Sequence, residues 1–289
     1  MTLYTQHTKL HKLDVMEQLK LFYQEDKTNQ DLSTLYATRK TDPPITAALI
    51  AEENLIVSGL SIVDTIFENY TVTKHKQDGD LCNIGENICS ISAPASILLS
   101  YERILLNLIQ RMSGIASLTH QYVRRLNSSN IKILDTRKTT PGLRLFEKYA
   151  VCIGGGYNHR FDLYEGVMIK DNHLIIIDNL DLTLQTLKTE HPNKKIEIEV
   201  DTFDQLENFL DLLSVSVDAI LLDNMSKSET IKCVPPIRQH LPSCFIESSG
   251  GINLDNILNY KDVGVDGISI GALTHQAQSK NIKFEFQKK

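Results

Sequence analysis

The chain has 289 residues, enough for one large domain or two modest ones with a sizeable core. Its 42% apolar and 23% charged content is that of an ordinary globular protein, and a formal charge of −6 argues against a general nucleic-acid binder. No apolar run reaches the length of a membrane span, the first twenty residues hold no apolar signal core, and five cysteines without a C-x-x-C pair read as free thiols, so a cytoplasmic protein is expected.

In chain order, Leu13 to Glu25 places Val15, Met16, Leu19, Phe22 and Tyr23 on one face of a helix, and a polar turn follows. Thr46–Leu60, Tyr70–Lys74 and Ile88–Ser92 carry apolar and β-branched runs broken by polar pairs, as strands of a partly exposed sheet do, with Asp78-Gly79-Asp80 as a hairpin-like turn. Pro94 opens a helix on which Ile97, Tyr101, Ile104, Leu105, Leu108 and Met112 form one stripe; Arg103 lies off it and reads as solvated. A second helix is expected from Ser113-Gly114 to Leu126, and a domain boundary after residue 115.

Beyond this point the pattern becomes strand–helix alternation. Six apolar runs recur (Ile131–Leu134, Val167–Ile169, Ile196–Val200, Ala219–Leu222, Cys244–Ile246 and Gly267–Ile270), each handing over to polar or glycine-rich residues. Between the first two, Pro141-Gly142 opens a helix that Gly154-Gly155-Gly156 closes. Repeated parallel βα units describe a TIM-type α/β barrel, and six runs instead of eight make it open or irregular. Ile282–Phe286 alternates like an edge strand returning to the N-terminal sheet. The expected division is a first domain of residues 1–115 joined by 276–289, and a barrel of residues 116–275.

The chemistry concentrates between Asp135 and His173. Arg137, Lys138, Arg144, Lys148, Arg160 and Lys170, with His159 and His173, gather there in an otherwise acidic chain, which suggests a site for a small polyanion. Taken alone, Arg137 and Lys138 are a solvated pair, but the end of a barrel strand favours a binding role. Gly154–Arg160 matches neither phosphate-loop pattern and precedes a strand; tight glycine packing that aims His159 and Arg160 inward is the better account. An inward Lys170 at the end of the next strand is costly unless an anion meets it. Glu199 and Asp223 end two further strands, as helix caps, as ligands of a ribose hydroxyl pair, or as holders of a magnesium ion bound to diphosphate; Glu197 shares the face of Glu199. Ser249-Gly250-Gly251 and Gly271 follow the last two strands, as turns or as phosphate-binding backbone. Cys152 reads as packing.

The words DTRKTTPGLR, EKYAV, GGGxNHR and IKDNH resemble the nicotinate-nucleotide pyrophosphorylase (carboxylating) family, also called quinolinate phosphoribosyltransferase. The resemblance continues in ERxLLNxxxxxSGIA at Glu102–Ala116, EIEV at Glu197–Val200, LLDNM at Leu221–Met225, ESSGGI at Glu247–Ile252 and SIGALTH at Ser269–His275, in the family's order from about Gln30 onward. One departure is Gln30, which stands where the family's turn usually has glycine.

The resemblance implies an N-terminal α/β sandwich-like domain plus an incomplete (open) TIM-type α/β barrel. It implies conversion of quinolinate and phosphoribosyl pyrophosphate to nicotinate mononucleotide, pyrophosphate and CO2 in NAD biosynthesis, with Mg2+, by a homodimer or a hexamer assembled from such dimers. It casts Arg137, His159, Arg160 and Lys170 as quinolinate contacts, and Arg103 as a contact made across the dimer interface in the neighbour's site. Lys138 reaches phosphates, and Glu199 and Asp223 serve the phosphoribosyl and metal side, these three being the catalytic set. Ser249, Gly250, Gly251 and Gly271 take the 5-phosphate with His275 nearby. The pyridine nitrogen attacks the anomeric carbon as pyrophosphate leaves, and the resulting pyridinium holds the electrons released with CO2, so no covalent nucleophile is expected. The competing readings are a molybdenum-transport-associated relative of the same fold, a catalytically silent barrel that binds pyridine carboxylates, and nicotinate as substrate. The intact Lys170-Asp171-Asn172-His173 word speaks against the first, and the density of cations favours a dicarboxylate over nicotinate.

Overall fold

The structure, a computed structural model, describes residues 2–212 and 214–287. In chain order the elements are α1 (Lys12–Asp26), α2 (Leu32–Ala37), β1 (Pro44–Ala51), β2 (Leu55–Ile56), α3 (Leu60–Ile66), β3 (Thr71–Lys74), β4 (Leu81–Cys82), β5 (Asn87–Pro94) and α4 (Ala95–Leu126). There follow β6 (Lys132–Leu134), α5 (Arg144–Ile153), β7 (Gly166–Ile169), α6 (Asp171–Ile176), α7 (Leu180–Glu190), β8 (Lys195–Val200) and α8 (Phe203–Leu212). The last are β9 (Ala219–Asp223), α9 (Lys227–His240), β10 (Phe245–Ser249), β11 (Gly267–Ser269), α10 (Ala272–His275) and β12 (Ile282–Phe286).

Contacts divide the described chain into an N-terminal unit of residues 7–120, 139–155 and 273–287, and a barrel unit of residues 2–6, 121–138 and 156–272. Compared with a division into residues 1–115 with 276–289 and residues 116–275, this one places residues 2–6 in the barrel unit and residues 116–120, 139–155 and 273–275 in the N-terminal unit.

The N-terminal unit is built on an antiparallel sheet in the order β12-β1-β5-β3. As expected, β12 lies at its edge, with Ala47 opposite Phe286 and Ala51 opposite Ile282. One face of the sheet and the apolar stripe of α4 share a core in which Leu49, Phe67, Ile88, Ile91, Leu98, Leu105 and Ile109 are fully buried. Each such side chain contributes about 1.5–3 kcal/mol of burial.

Three expectations for this unit are corrected. The two helices expected around Ser113-Gly114 are one continuous helix of 32 residues. Gly114 is there for close approach: a Cβ would lie 2.1 Å from the carbonyl oxygen of Gln278. Its small neighbours also face inward, Ser113 Oγ accepting from the Ser58 N–H at 3.2 Å and Ser117 Oγ from the Ile56 N–H at 2.8 Å. Second, Pro94 ends β5 instead of opening the helix. Third, the apolar stretch to Leu60 stays extended only through Ile56, because Gly59 turns the chain at φ 108° and the Asp78 carboxylate accepts the N–H groups of Gly59 and Leu60 at 3.0 Å each. The turn near Gln30 needs no glycine there, since Lys27 takes the left-handed conformation (φ 50°) and Asp31 caps α2 through the Thr34 N–H at 3.0 Å.

In the barrel unit all six expected strands form one parallel sheet in the order β6-β11-β10-β9-β8-β7. Ile196, Ile198, Ile220, Leu222, Ile246 and Ile268 are buried within it, which is why these strands read as unbroken apolar runs. A closed barrel would also pair β6 with β7, and among the described residues no such pairing occurs. Instead the free edge of β6 takes Tyr157, whose N–H donates to Ile133 O at 2.8 Å and whose carbonyl accepts from the Asp135 N–H at 3.0 Å. The fold is therefore an incomplete barrel, with all six C-terminal strand ends on one side. Among the described residues no helix is long and apolar enough to cross a membrane.

Candidate active site

A cavity of about 360 Å³ lies at those strand ends, lined by Thr136, Arg137, Lys138, His159, Arg160, Met168, Lys170, Glu199, Leu221, Asp223, Glu247, Ser249 and Ser269. It unites residues of β7, β8, β9, β10 and β11, of the segment that follows β6, and of the loop that flanks β6. Arg137, Lys138, His159, Arg160, Lys170, Glu199, Asp223 and Ser249 were all expected site residues. Of the rest, Gly250 and Gly251 continue the loop after Ser249, and Gly271 follows Ile270, whose N–H donates to Leu134 O at 3.0 Å. Arg103 and His275 belong to the N-terminal unit, where Arg103 lines a separate cavity of about 350 Å³ with Glu25, Asp26 and Asn107.

Asp135 organises the β6 side. It is fully buried, and its carboxylate accepts the His159 N–H at 2.8 Å and the Asn158 side-chain amide at 2.6 Å, which pins the Gly156–Arg160 loop to the end of β6. Arg160 donates its backbone N–H to His159 Nδ1 at 2.8 Å and its guanidinium to Gly166 O at 3.1 Å. With Nδ1 accepting a backbone N–H, the imidazole proton belongs on Nε2, which faces Glu197 Oε2 at 3.0 Å and Glu247 Oε2 at 3.7 Å. Arg137, Lys138, Arg160 and Lys170 bring positive charge to the same cavity.

Glu197 and Glu247 are both fully buried behind this histidine. At Glu197 the effect of burial is outweighed by His159, the Tyr4 hydroxyl and Arg160, which hold the carboxyl below its ordinary range. At Glu247 burial and the Glu197 charge push it up to about 8, with His159 and Ser269 opposing. The folded state then holds the Glu247 proton more tightly than the unfolded chain, whose glutamates titrate near about 4.3. This contribution to stability is complete below that value and is lost as pH rises through about 8. Glu247→Gln cannot lose the proton, so its melting temperature relative to wild type should rise by several degrees between pH 5 and pH 8; a constant difference would contradict this assignment.

On the β8–β9 side, Lys170 forms an ion pair with Glu199. Burial pushes the Glu199 carboxyl up, Lys170 opposes this, and Asp223 and Asp201 add to it. One carboxylate oxygen from each of Glu199, Asp201 and Asp223 lies within 4.8 Å of the others. Such an all-oxygen anionic set suits a hard divalent cation that keeps part of its water shell. Asp223 accepts from the Asn224 side chain at 2.6 Å, and Asn224, at φ 53°, donates its N–H to Ser249 O at 2.9 Å. Gly250 makes this interlock possible, since a Cβ there would lie 2.1 Å from Asn224 Oδ1.

Reading by residue type missed Asp135, Glu247 and Asp201. Asp201 was accessible by period two from Glu197 and Glu199. Asp135 and Glu247 each open a motif word, DTRKTTPGLR and ESSGGI, whose arginine or glycines mark a site more plainly than a lone carboxylate does.

A family model described as quinolinate phosphoribosyl transferase, C-terminal domain, matches residues 115–285, and the corresponding N-terminal domain matches residues 31–113. The chain belongs to the quinolinate phosphoribosyl transferase family. Within this family it is 39% identical over 290 residues to a probable nicotinate-nucleotide pyrophosphorylase [carboxylating] of Bacillus subtilis, covering 96% of this chain and 94% of that one. It is 36% identical over 255 residues to the nicotinate-nucleotide pyrophosphorylase [carboxylating] of Mycobacterium leprae, covering 86% and 89%. The solved structure of the nicotinate-nucleotide pyrophosphorylase from Francisella tularensis superposes with a TM-score of 0.87 at 30% identity, over 98% of this chain and all of that one (100%). The resemblance drawn from the motif words is borne out, and these relatives do not favour the molybdenum-transport alternative.

Proposed function

We propose that the chain is a quinolinate phosphoribosyltransferase, transferring the phosphoribosyl group of phosphoribosyl pyrophosphate to quinolinate with loss of CO2, in the biosynthesis of NAD. The observation that carries this is one cavity holding two opposite charge sets, Arg137, Lys138, Arg160 and Lys170 against Glu199 and Asp223. The cations match the two adjacent carboxylates of quinolinate and the phosphates, while the carboxylates match ribose hydroxyls and a magnesium ion.

Arg137, Arg160 and Lys170 hold the dicarboxylate so that the ring nitrogen faces the anomeric carbon, and Lys138 takes negative charge from the phosphates. The N–C bond forms as the bond from the anomeric carbon to pyrophosphate breaks. The carboxylate next to the new pyridinium then leaves as CO2, its bonding electrons stay on the ring carbon, and a proton replaces it. Glu199 and Asp223, with Asp201 beside them, would hold Mg2+, which when bound supplies charge stabilisation to the diphosphate. Glu199→Gln combined with Asp223→Asn should raise the magnesium concentration for half-maximal rate at least about tenfold; an unchanged magnesium titration would contradict this ligand set.

We further propose a cytoplasmic homodimer in which Arg103 reaches the neighbour's quinolinate. Five free cysteines suit a reducing compartment. An arginine lining a cavity of its own unit suits a contact made with another subunit.

The test is direct. Purified protein with magnesium and phosphoribosyl pyrophosphate should convert quinolinate to nicotinate mononucleotide. A folded protein that binds quinolinate without product would favour the catalytically silent barrel.

A further inference from the structure

Residues 4–6, none of which the proposed reaction uses, lie against the loop beside β6 and the start of β7. The Thr5 N–H donates to Glu165 Oε1 at 2.7 Å. Gln6 donates its side-chain amide to Asn158 O at 3.0 Å and accepts the Asn158 N–H at 2.8 Å, as a neighbouring strand would. The Tyr4 ring, 7% exposed, packs against Gly166 at the start of β7, where a Cβ would lie 2.6 Å from Tyr4 Cε1. On its other side the ring centroid is 4.7 Å from that of His159. Its hydroxyl donates to Glu197 Oε2 at 2.8 Å, the same oxygen that His159 Nε2 approaches at 3.0 Å.

Packing alone would need only the ring. The hydroxyl shares one carboxylate oxygen with a histidine that lines the cavity, and so fixes where the imidazole proton points. Burial and the Glu197 charge push the Tyr4 phenol well above its ordinary range, so it remains a donor throughout the working pH. Removing it leaves a wholly buried carboxylate one donor short, directly behind a pocket meant for a dianion.

We propose that Tyr4 is a positioning residue of the quinolinate pocket, holding His159 through the shared Glu197 oxygen from a segment that packs against the start of β7 and the loop beside β6. This rests on the reading of the cavity as the quinolinate site.

Tyr4→Phe tests it, since the ring stays and only the hydroxyl goes. Calorimetric titration of wild type and variant with quinolinate should show about tenfold weaker binding in the variant, the scale of a lost hydrogen bond to a charged group. In turnover, KM for quinolinate should rise by a similar factor while KM for phosphoribosyl pyrophosphate stays within about twofold. In a Glu197→Gln background, Tyr4→Phe should have less than about a twofold effect, because both changes act at one oxygen. Unchanged quinolinate binding in Tyr4→Phe, with or without a lower melting temperature, would overturn the proposal and leave Tyr4 a structural plug. Wild-type protein that binds no quinolinate would overturn the reading of the cavity, and the proposal with it.

Discussion

Arg137→Ala is expected to lower kcat/KM for quinolinate by about 10²- to 10³-fold. Arg137 follows β6 at the cavity wall, in the same lining as Lys138, Arg160 and Lys170. A guanidinium takes a carboxylate through two parallel hydrogen bonds, and removing one partner of such a pair in a desolvated pocket costs about 2–5 kcal/mol. At about 1.4 kcal/mol per factor of ten, that spans about 30- to 4,000-fold and brackets the stated loss. The loss should fall on quinolinate, leaving KM for phosphoribosyl pyrophosphate within about threefold, because the proposed function assigns that substrate to Lys138 and the β8–β9 carboxylates. Arg137→Lys should recover only part of the rate, since an ammonium keeps the charge and loses the fork. Steady-state kinetics with each substrate varied in turn decide the matter. A loss below about threefold in Arg137→Ala would remove Arg137 from the binding set.

The second large effect is expected at Asp135, a residue without direct access to substrate. Asp135→Ala removes the acceptor of both the His159 N–H and the Asn158 amide, and each stranded buried donor costs about 1–3 kcal/mol. At about 2–4 °C per kcal/mol for a chain of this size, the melting temperature should fall by about 10 °C. Because the same loop carries His159 and Arg160 into the cavity, kcat/KM should also fall at least about tenfold in the fraction that remains folded. Asp135→Asn keeps one acceptor and should lie between. Thermal melts and kinetics measured on the same preparation would show it. A variant with normal stability and normal rate would mean that the loop is held by other contacts.

Much of the fold was legible because buried parallel strands are short apolar runs bounded by polar ends. All six barrel strands follow from that pattern, and β12 at the edge of the N-terminal sheet follows from its alternation. What was not legible depends on residues distant in sequence. The start of α3 is fixed by Asp78, and Gly114 lies inside a helix because the backbone at Gln278 comes against it. No local pattern reports either contact. The same holds at the site. The cationic side chains stand out by type in an acidic chain, and Glu199 and Asp223 by their place at strand ends. Asp135, Glu247 and Tyr4 are hidden, since a buried carboxylate and a capping one look alike in sequence. Tyr4 is the extreme case, separated by 193 residues from the carboxylate to which it donates.

The central claim is that this cavity is built for a pyridine dicarboxylate and removes one of the two carboxylates. It is tested most directly with quinolinate labelled at the carboxyl next to the ring nitrogen, in the presence of phosphoribosyl pyrophosphate and magnesium, with nicotinate in a parallel reaction. Labelled CO2 released one for one with nicotinate mononucleotide, and no product from nicotinate, is the predicted result. Equal turnover of nicotinate, or no turnover of either acid by folded protein, would contradict it.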